Sequence, residues 1–163
     1  MRVNMISFRI GHGYDIHPFE KDKPLMLGGE LIPFESGMKG HSDGDVVIHA
    51  ICDAMLGAAA LGDMGQYFPD TDPRYKQASS INFLTKIYNM LLEQGWKIGN
   101  IDVSIIAQVP KLAPHIKKMI MTLSKALDIE LNKINIKATT NEKLDAVGKC
   151  EAIAVHAVVL IVK

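Results

Sequence analysis

The sequence predicts an α/β protein, an α+β sandwich in which helices cover one face of a mixed sheet. Segments that alternate as strands do are interspersed with segments whose apolar residues recur at helical spacing. The chain of 163 residues is long enough for one hydrophobic core and too short for two ordinary domains. Since no repeat, low-complexity tract or linker interrupts it, we expect residues 1–163 to form a single domain.

The first half of the chain is predicted to hold a strand, a hairpin and two helices. Gly28 and Gly29 favour the tight turn of the hairpin, and Ser42 followed by Asp45 resembles a capping box that opens the first helix. Gly95 ends the second helix. In chain order we expect a strand at 8–16, hairpin strands at 25–27 and 31–34, a helix at 46–60, a polar loop at 62–75 and a helix at 79–94.

The second half is predicted to add three strands and one helix. Pro110 and Pro114 turn the first of these strands into the helix, because proline cannot continue a strand ladder. The predicted elements are strands at 101–109, 134–138 and 152–162 and a helix at 115–127. We expect the resulting topology to be related to the ferredoxin-like fold.

Composition excludes several classes of partner. Net charge is zero, so no global field attracts nucleic acid or an anionic membrane. An anionic substrate must therefore be held locally, by metal ions, backbone amides or individual lysines. Cys52 and Cys150 have no ligand-like spacing and are predicted to be reduced core residues. Residues 1–5 are too short and polar for a targeting signal, and the apolar run at 152–162 is too short to span a bilayer. We therefore expect a cytoplasmic protein.

One polar cluster indicates a metal site. Asp15 and His17 lie two apart on the first strand, so their side chains share a face, and His49 lies on the first predicted helix. Two imidazoles and one carboxylate, with a fourth position open, are typical of catalytic zinc. The alternative is a turn pair at a strand end and a core histidine with ordinary hydrogen bonds.

The surroundings of this cluster strengthen the metal interpretation. His12 and His41 add to the polar crowding in a largely apolar region. The N-terminal position of His49 on its helix favours the uncharged, metal-binding ring. Asp45 and Asp53, one turn to either side of His49, are candidates to orient the ring, with capping or solvated roles as the alternative.

A second polar group follows the strand at 134–138. Thr139, Thr140 and Glu142 offer two hydroxyls and a carboxylate, which suit phosphate oxygens and a hard cation such as Mg²⁺. The alternative is a plain turn. Lys111, between two prolines, is a candidate phosphate contact. The sequence contains no Walker-type loop, no nucleophile elbow and no dinucleotide fingerprint.

Several ordered motifs together indicate a family. They are RIGHGYDIH at 9–17, HSDGD at 41–45, LGAAALGD at 56–63, FPDTD at 68–72, IIAQVPK at 105–111 and IKATT at 136–140. With them, residues 8–163 closely resemble the 2-C-methyl-D-erythritol 2,4-cyclodiphosphate synthase family of the non-mevalonate isoprenoid pathway.

The resemblance implies a homotrimer with active sites at subunit interfaces and one zinc per subunit, bound by Asp15, His17 and His49. It implies that Glu142 binds a second divalent cation, Mg²⁺ or Mn²⁺, with the substrate diphosphate. His41 and Ser42 would contact the diphosphate and erythritol region, and residues 63–65 and 68–72 would shape the erythritol pocket. The 107–113 loop would hold cytosine, and the turn with Thr139, Thr140 and Glu142 would hold phosphates. The implied substrate-binding residues are Asp15, His17, His41, Ser42, Asp63, Met64, Gly65, Phe68, Pro69, Asp70, Thr71, Asp72, Ala107, Gln108, Val109, Pro110, Lys111, Leu112, Ala113, Thr139, Thr140, Asn141, Glu142, Ala146 and Lys149.

The implied reaction converts 4-diphosphocytidyl-2-C-methyl-D-erythritol 2-phosphate to the 2,4-cyclodiphosphate and CMP. His41 and Thr140 would act as catalytic hydrogen-bond donors to the transition state. Two alternatives remain: a metal-dependent phosphohydrolase, and a non-catalytic trimer that binds nucleotides or isoprenoid diphosphates.

One segment departs from the family pattern. Residues 143–151 read KLDAVGKCE where KLGFxGRxE is common, so Ala146 replaces Phe and Lys149 replaces Arg. In the family these positions lie near a central channel proposed to bind isoprenoid diphosphates. Lysine keeps the charge but loses the planar fork of arginine. Asn141 stands where threonine is commoner.

Overall fold

The computed structural model of the protein describes residues 7–163, so the segment at 1–5, predicted to carry no targeting signal, lies outside the described residues. The strands are β1 (Phe8–Lys21), β2 (Leu25–Leu27), β3 (Glu30–Ile32), β4 (Ser36–Met38), β5 (Lys97–Ile106), β6 (Ile134–Thr139) and β7 (Ala152–Val162). The helices are α1 (Val46–Ala59), α2 (Met64–Tyr67), α3 (Ser80–Glu93), α4 (Ile116–Leu127) and α5 (Asp145–Gly148). Single 3₁₀ turns lie at Pro73–Tyr75 and Leu131–Lys133.

Five strands form one mixed sheet in the order β4-β1-β7-β5-β6, and β2 and β3 form a separate hairpin. Only the pairing of β5 with β6 is parallel among these strands. The three long helices α1, α3 and α4 pack with the inward side chains of the sheet in the main core. The predicted mixed sheet with helices on one face is therefore confirmed. Within the described residues, no helix combines the length and apolarity needed to cross a bilayer.

The short α5 is the exception to this layering. Its residue Val147 packs with Ile106 and Ala154, which alternate with core-facing neighbours on β5 and β7. The helix therefore lies against the outer face of the sheet. Neither α5 nor β4 was predicted, because elements of three or four residues carry too little periodicity to be recognised.

The predicted polar loop at 62–75 contains two short elements that the sequence did not predict, α2 and a 3₁₀ turn. Asp63 accepts a hydrogen bond from Gln66 N (3.2 Å) and caps α2, and Asp72 accepts one from Arg74 N (2.9 Å) and caps a 3₁₀ turn. Aspartates beside glycine and proline are typical of loops, but the same residues are favoured N-caps. The segment is therefore ordered by its own side chains.

Asp45, and not Ser42, caps α1. The Asp45 carboxylate accepts hydrogen bonds from Ile48 N (3.1 Å), Gly28 N (2.9 Å) and Gly29 N (2.6 Å). Burial raises the pKa of this carboxyl, although the three backbone donors oppose the shift. One fully buried side chain therefore joins the hairpin turn to the start of α1.

The cysteine prediction was half right. Cys52 and Cys150 are both free, and Cys52 is buried in the core as expected. Cys150 is exposed, because it follows α5 in the turn before β7 rather than lying within the strand itself.

The most restrictive contact in the fold joins β1 to α1. A Cβ atom added to Gly11 would lie 1.9 Å from the carbonyl oxygen of Ala54, and one added to Gly13 would lie 1.9 Å from that of Ala50. Real Cβ atoms do not approach carbonyl oxygens this closely, so only glycine lets the helix backbone lie directly on the strand. The next inward-facing residues of β1, Asp15 and His17, are thereby brought beside α1.

Replacing Gly13 with alanine tests this contact. We expect Gly13→Ala to lower the free energy of unfolding by about 3 kcal/mol, because helix and strand must separate to admit the methyl group. Gly57→Ala, in helix α1, is the matched control. Apart from the backbone of that helix, nothing lies within 4 Å of a Cβ added to Gly57. This substitution should stabilise by about 0.5–1 kcal/mol through helix propensity. Urea denaturation followed by circular dichroism measures both, and equal effects would contradict the close approach.

Candidate metal centre and active site

Asp15, His17 and His49 converge on one point. Asp15 and His17 project from the inward face of β1, and His49 projects from the first turn of α1. Asp15 Oδ2 lies 2.9 Å from His17 Nε2 and 3.1 Å from His49 Nδ1, and one donor atom from each residue falls within 4.8 Å of the others. A carboxylate oxygen and two imidazole nitrogens at this spacing fit a divalent metal with an open coordination position.

A backbone contact orients the His17 ring for this role. Its Nδ1 lies 2.6 Å from the carbonyl oxygen of Lys39, which can only accept a hydrogen bond. Nδ1 therefore carries a proton, and in the uncharged ring the lone pair of Nε2 faces Asp15 and the common point.

The charges of the cluster depend on one another. Burial would raise the pKa of Asp15, but hydrogen bonds and charge attraction from His17 and His49 outweigh it and lower that pKa to about 2. Burial lowers the pKa of His17, and the bonded, negatively charged Asp15 reverses the effect, so that this pKa is raised above its usual 6.5. The carboxylate is thus ionised at all ordinary pH values, as a metal ligand must be.

Two serines, which the sequence did not indicate as partners, contact the far side of the His49 ring. Its Nε2 lies 3.0 Å from Ser80 Oγ and 3.2 Å from Ser42 Oγ. Ser80 is the first residue of α3, and nothing in its local sequence relates it to a histidine 31 positions earlier.

Neither aspartate considered as an orienting partner takes that role. Among the hydrogen bonds of the described residues, Asp45 caps α1 and Asp53 accepts one from Met64 N (2.8 Å). Both carboxyls have a pKa raised by burial. The expectation that His12 belongs to the same polar cluster was also wrong. His12 faces outward from β1, and its Nε2 lies 3.0 Å from Nδ1 of His156.

A cavity of about 290 Å³ adjoins the cluster. His41 lines it and directs Nε2 at the carbonyl oxygen of Asp72 (3.0 Å), so that nitrogen donates and the ring is fixed. The residues lining the cavity are His17, Gly40, His41, Ser42, His49, Met64, Phe68, Asp70, Tyr75 and Phe83. The sequence did not indicate Tyr75 and Phe83 as lining residues. Nothing in the local sequence around an aromatic residue shows which distant residues line the same cavity.

The rest of the 63–72 segment supports this wall. Asp63 caps α2, and Asp72 forms a salt bridge with Arg74 (2.6 Å) that lowers the pKa of the Asp72 carboxyl. Gly65, Pro69 and Thr71 belong to the same segment but do not line the cavity.

A second cavity of about 230 Å³ brings together the predicted cytosine loop and the predicted phosphate turn. Lys111 lies at its exposed rim. The lining residues are Ala107, Gln108, Pro110, Lys111, Leu112, Ala113, Ile116, Ala138, Thr139 and Thr140, so Val109 alone of the 107–113 loop is not among them. The second cavity contains none of the three metal-cluster residues.

The turn after β6 is held by its own polar groups. Thr140 Oγ1 donates to Glu142 Oε1 (3.2 Å), and Gln108 Oε1 accepts a bond from Lys143 N (3.2 Å), which ties the turn to the 107–113 loop. Asn141 Nδ2 donates to the carbonyl oxygen of Leu144 (3.0 Å). Glu142 is exposed and has no cationic partner among the described salt bridges, which leaves it accessible to a cation.

Ala146 and Lys149 lie apart from both cavities. Ala146 lines a third cavity of about 380 Å³ on the outer face of the sheet, with Tyr14, Ile16 and His156 among its other walls. Lys149 is exposed nearby at the end of α5. Of the other predicted substrate-binding residues, Asn141 also lines this third cavity, and the structure of one chain does not unite Ala146 with those that line the first two cavities.

Comparisons with known proteins cover nearly the whole chain. The model of the YgbB family matches residues 8–162. The 2-C-methyl-D-erythritol 2,4-cyclodiphosphate synthase of Shewanella woodyi is 54% identical over 158 residues, which are 97% of this chain and 99% of that protein. Its counterpart in Francisella philomiragia is 55% identical over 96% of this chain and 99% of its own length.

Solved structures agree in fold. The bifunctional IspDF of Campylobacter jejuni matches with a TM-score of 0.94 and 41% identity over 97% of this chain, which spans 43% of that longer chain. The CDP complex of IspF from Plasmodium falciparum matches with a TM-score of 0.84 and 36% identity over 96% of both chains. The matched region includes the metal cluster and both cavities.

The raised pKa of His17 predicts the pH dependence of metal binding. A proton on His17 competes with the metal, so zinc affinity should fall about tenfold per pH unit below that pKa and level off above it. The Asp15 proton does not compete in this range, because its pKa is about 2. Competition with a chromophoric chelator between about pH 5.5 and 8.5 measures the effect. His17→Ala should bind zinc weakly at every pH, whereas a pH-independent wild-type affinity would contradict the assignment.

Proposed function

The chain belongs to the YgbB family and to the 2-C-methyl-D-erythritol 2,4-cyclodiphosphate synthases, and we propose that Asp15, His17 and His49 form the metal centre of this activity. The protein is a synthase of the non-mevalonate isoprenoid pathway. It converts 4-diphosphocytidyl-2-C-methyl-D-erythritol 2-phosphate to the cyclodiphosphate with release of CMP. The observation that carries the metal assignment is the convergence of one ionised carboxylate and two imidazoles beside a cavity.

The reaction needs position and charge neutralisation more than a covalent nucleophile. An oxygen of the substrate's 2-phosphate forms a bond to the β-phosphorus, and the bond from that phosphorus to the bridging oxygen of CMP breaks. No general base is required, because the attacking phosphate is already anionic at neutral pH. Asp15, His17 and His49 would hold Zn²⁺, which would supply a Lewis acid for the β-phosphate.

The residues around the cluster orient the reacting groups. The ring of His41, fixed by its contact with Asp72, lines the cavity and acts as a hydrogen-bond partner of the diphosphate. Met64, Phe68 and Asp70 enclose the erythritol part, with Asp70 available to its hydroxyl groups.

The second cavity is proposed to hold the cytidine part. Ala107 and Ala113 are small enough for a base to approach the main chain, and Lys111 can meet a phosphate at the rim. Thr139 and Thr140 offer hydroxyls at the same cavity, and Thr140 is the proposed donor to the transition state. Glu142 is positioned to hold Mg²⁺ or Mn²⁺ with the diphosphate.

A homotrimer would bring the two cavities of neighbouring chains together. The outer face of the sheet supports such an assembly, because large apolar side chains on it are exposed to an extent unusual for a monomer. The exposed fractions on this face are 66% for Phe8, 65% for Ile10, 48% for Tyr14, 42% for Ile16 and 40% for Val158. In a cyclic assembly each interface joins one edge of a chain to a different edge of the next, which creates shared sites.

We also propose a cytoplasmic location. Cys150 is exposed and free, and the buried Cys52, whose thiol pKa is raised well above its usual value by burial, is unpaired too. Free thiols persist in reducing compartments. We expect thiol titration of the protein, purified under air, to find both cysteines unpaired.

The reaction products test the proposed metal centre. Wild-type protein should convert the diphosphocytidyl substrate to equal amounts of cyclic diphosphate and CMP, as followed by phosphorus NMR. A chelator should abolish turnover, added zinc should restore it, and His49→Ala should lose about 100-fold in rate even with zinc, or about 2.7 kcal/mol of transition-state stabilisation. A ring-opened phosphate would indicate a hydrolase instead, and binding without turnover would indicate a non-catalytic protein.

Mixed trimers test whether sites are shared. His49→Ala damages the metal half and Lys111→Ala the cytidine half, so a site that pairs the intact halves of two chains should work. After subunit exchange at equal amounts, about one quarter of the sites should be intact, because one site in three survives in each mixed trimer.

The control for this experiment mixes His49→Ala with His17→Ala. Both substitutions damage the same half, so no combination restores a site. Recovery in the first mixture alone supports shared sites. No recovery in either, with exchange demonstrated by mass spectrometry, would place each complete site within one chain.

A further inference from the structure

We propose that Ser80 and Asp43 are positioning residues for the metal centre, and that a relay from His49 through Ser80 to Asp43 sets which nitrogen of His49 binds the metal. The inference rests on the proposed metal centre at Asp15, His17 and His49. Neither Ser80 nor Asp43 is a ligand in it. Their role follows from the direction of the hydrogen bonds behind the His49 ring.

Both nitrogens of the His49 ring have a partner. Nδ1 faces the metal position and lies 3.1 Å from Asp15 Oδ2, while Nε2 faces away from it and lies 3.0 Å from Ser80 Oγ. An uncharged imidazole donates from one nitrogen and offers a lone pair at the other. The question is which nitrogen holds the proton.

The hydroxyl of Ser80 decides this, because its own proton is already used. Ser80 Oγ donates to Asp43 Oδ1 through a short hydrogen bond, and the backbone N of Ser80 donates to Asp43 Oδ2 at 2.9 Å. A carboxylate is an acceptor only, so the hydroxyl proton points at it. A lone pair of Ser80 Oγ therefore faces His49, and His49 Nε2 must donate a hydrogen bond to it.

The second serine is compatible with this direction. Ser42 Oγ lies 3.2 Å from Nε2 and accepts a weaker bond from Gly44 N at 3.3 Å. It can share the Nε2 proton with Ser80. The relay therefore runs from His49 Nε2–H to Ser80 and from Ser80 to Asp43, and it leaves Nδ1 with its lone pair toward the metal.

The relay is built into the fold rather than lying at the surface. Ser80 is fully buried at the first position of α3, and Asp43 lies in the loop before α1. Asp43 is further held by Asp45 N, which donates to its Oδ1 at 3.2 Å. Two parts of the chain without a metal ligand, the start of α3 and the loop before α1, thus fix the rotation of a ligand on α1.

A purely structural role for this contact is the competing explanation. Asp43 accepts from the backbone N of Ser80 and so caps α3 regardless of the serine hydroxyl. Ser80→Ala keeps this backbone bond and removes only the relay, which separates the two roles. Ser79→Ala is the matched control, since Ser79 is the exposed neighbour and its side chain makes no capping bond.

The experiment measures the zinc dissociation constant of full-length protein by chelator competition. Ser80→Ala should weaken zinc binding about 10- to 100-fold, which is the usual effect of removing the partner of a ligating histidine. Ser79→Ala should leave it unchanged, and Ser80→Thr, which keeps a hydroxyl, should recover part of the loss. Zinc affinity of Ser80→Ala equal to that of wild type would overturn the relay.

A second readout needs no variant. In ¹⁵N-histidine NMR of the metal-free wild-type protein, His49 should carry a proton on Nε2, and an Nε2 without a proton would overturn the relay. Asp43→Asn, which preserves shape, should shift this tautomer balance even if Ser80→Ala does not fold. Failure of wild-type protein to bind zinc would instead contradict the metal centre, and the tautomer measurement would still decide the relay.

Discussion

The direct contact between β1 and α1 is the constraint on which the rest of the structure depends. Gly11 and Gly13 remove two side chains from the strand, and the carbonyl oxygens of Ala50 and Ala54 occupy the space. The helix therefore lies close enough for His49 to reach a carboxylate on the strand without a long side chain. The same contact buries nearly all of α1, which packs against β1 and β7 and supports α3 from behind.

The metal cluster is an electrostatic consequence of that geometry. A carboxylate removed from water is costly unless it is paired, and Asp15 is paired with two imidazoles at once. In the metal-free protein the attraction raises the pKa of His17 and lowers that of Asp15. A divalent cation supplies the same compensation with more charge, so the arrangement that stabilises the metal-free cluster also prepares it for metal.

Sequence patterns indicated the residues of the metal cluster but not the residues that hold them in place. Asp15 and His17 share a face because a strand has a period of two, and His49 falls on a helix whose apolar spacing is unmistakable. Ser80 acts through a contact 31 residues along the chain, and no local pattern encodes that distance. The strand β4 and the helix α5 were missed for a related reason, since tertiary contacts stabilise them and their own short sequences do not.

The misplacement of His12 has the same origin. It shares strand β1 with Asp15 and His17 but differs from them in parity, so it points to the opposite side of the sheet and meets His156. The predicted cytosine loop and the predicted erythritol segment line separate cavities of one chain, a separation that the motifs alone do not indicate. Residue identity therefore indicates chemistry, whereas the direction and distance of each group follow from packing.

The position of the metal is the most direct test of this account. Diffraction from crystals of zinc-loaded protein, measured on both sides of the zinc absorption edge, locates the ion independently of any interpretation of the chain. We expect one anomalous peak per subunit within bonding distance of Asp15 Oδ2, His17 Nε2 and His49 Nδ1. A peak elsewhere would contradict the metal centre, and one bound through His49 Nε2 would contradict the orientation derived for that ring.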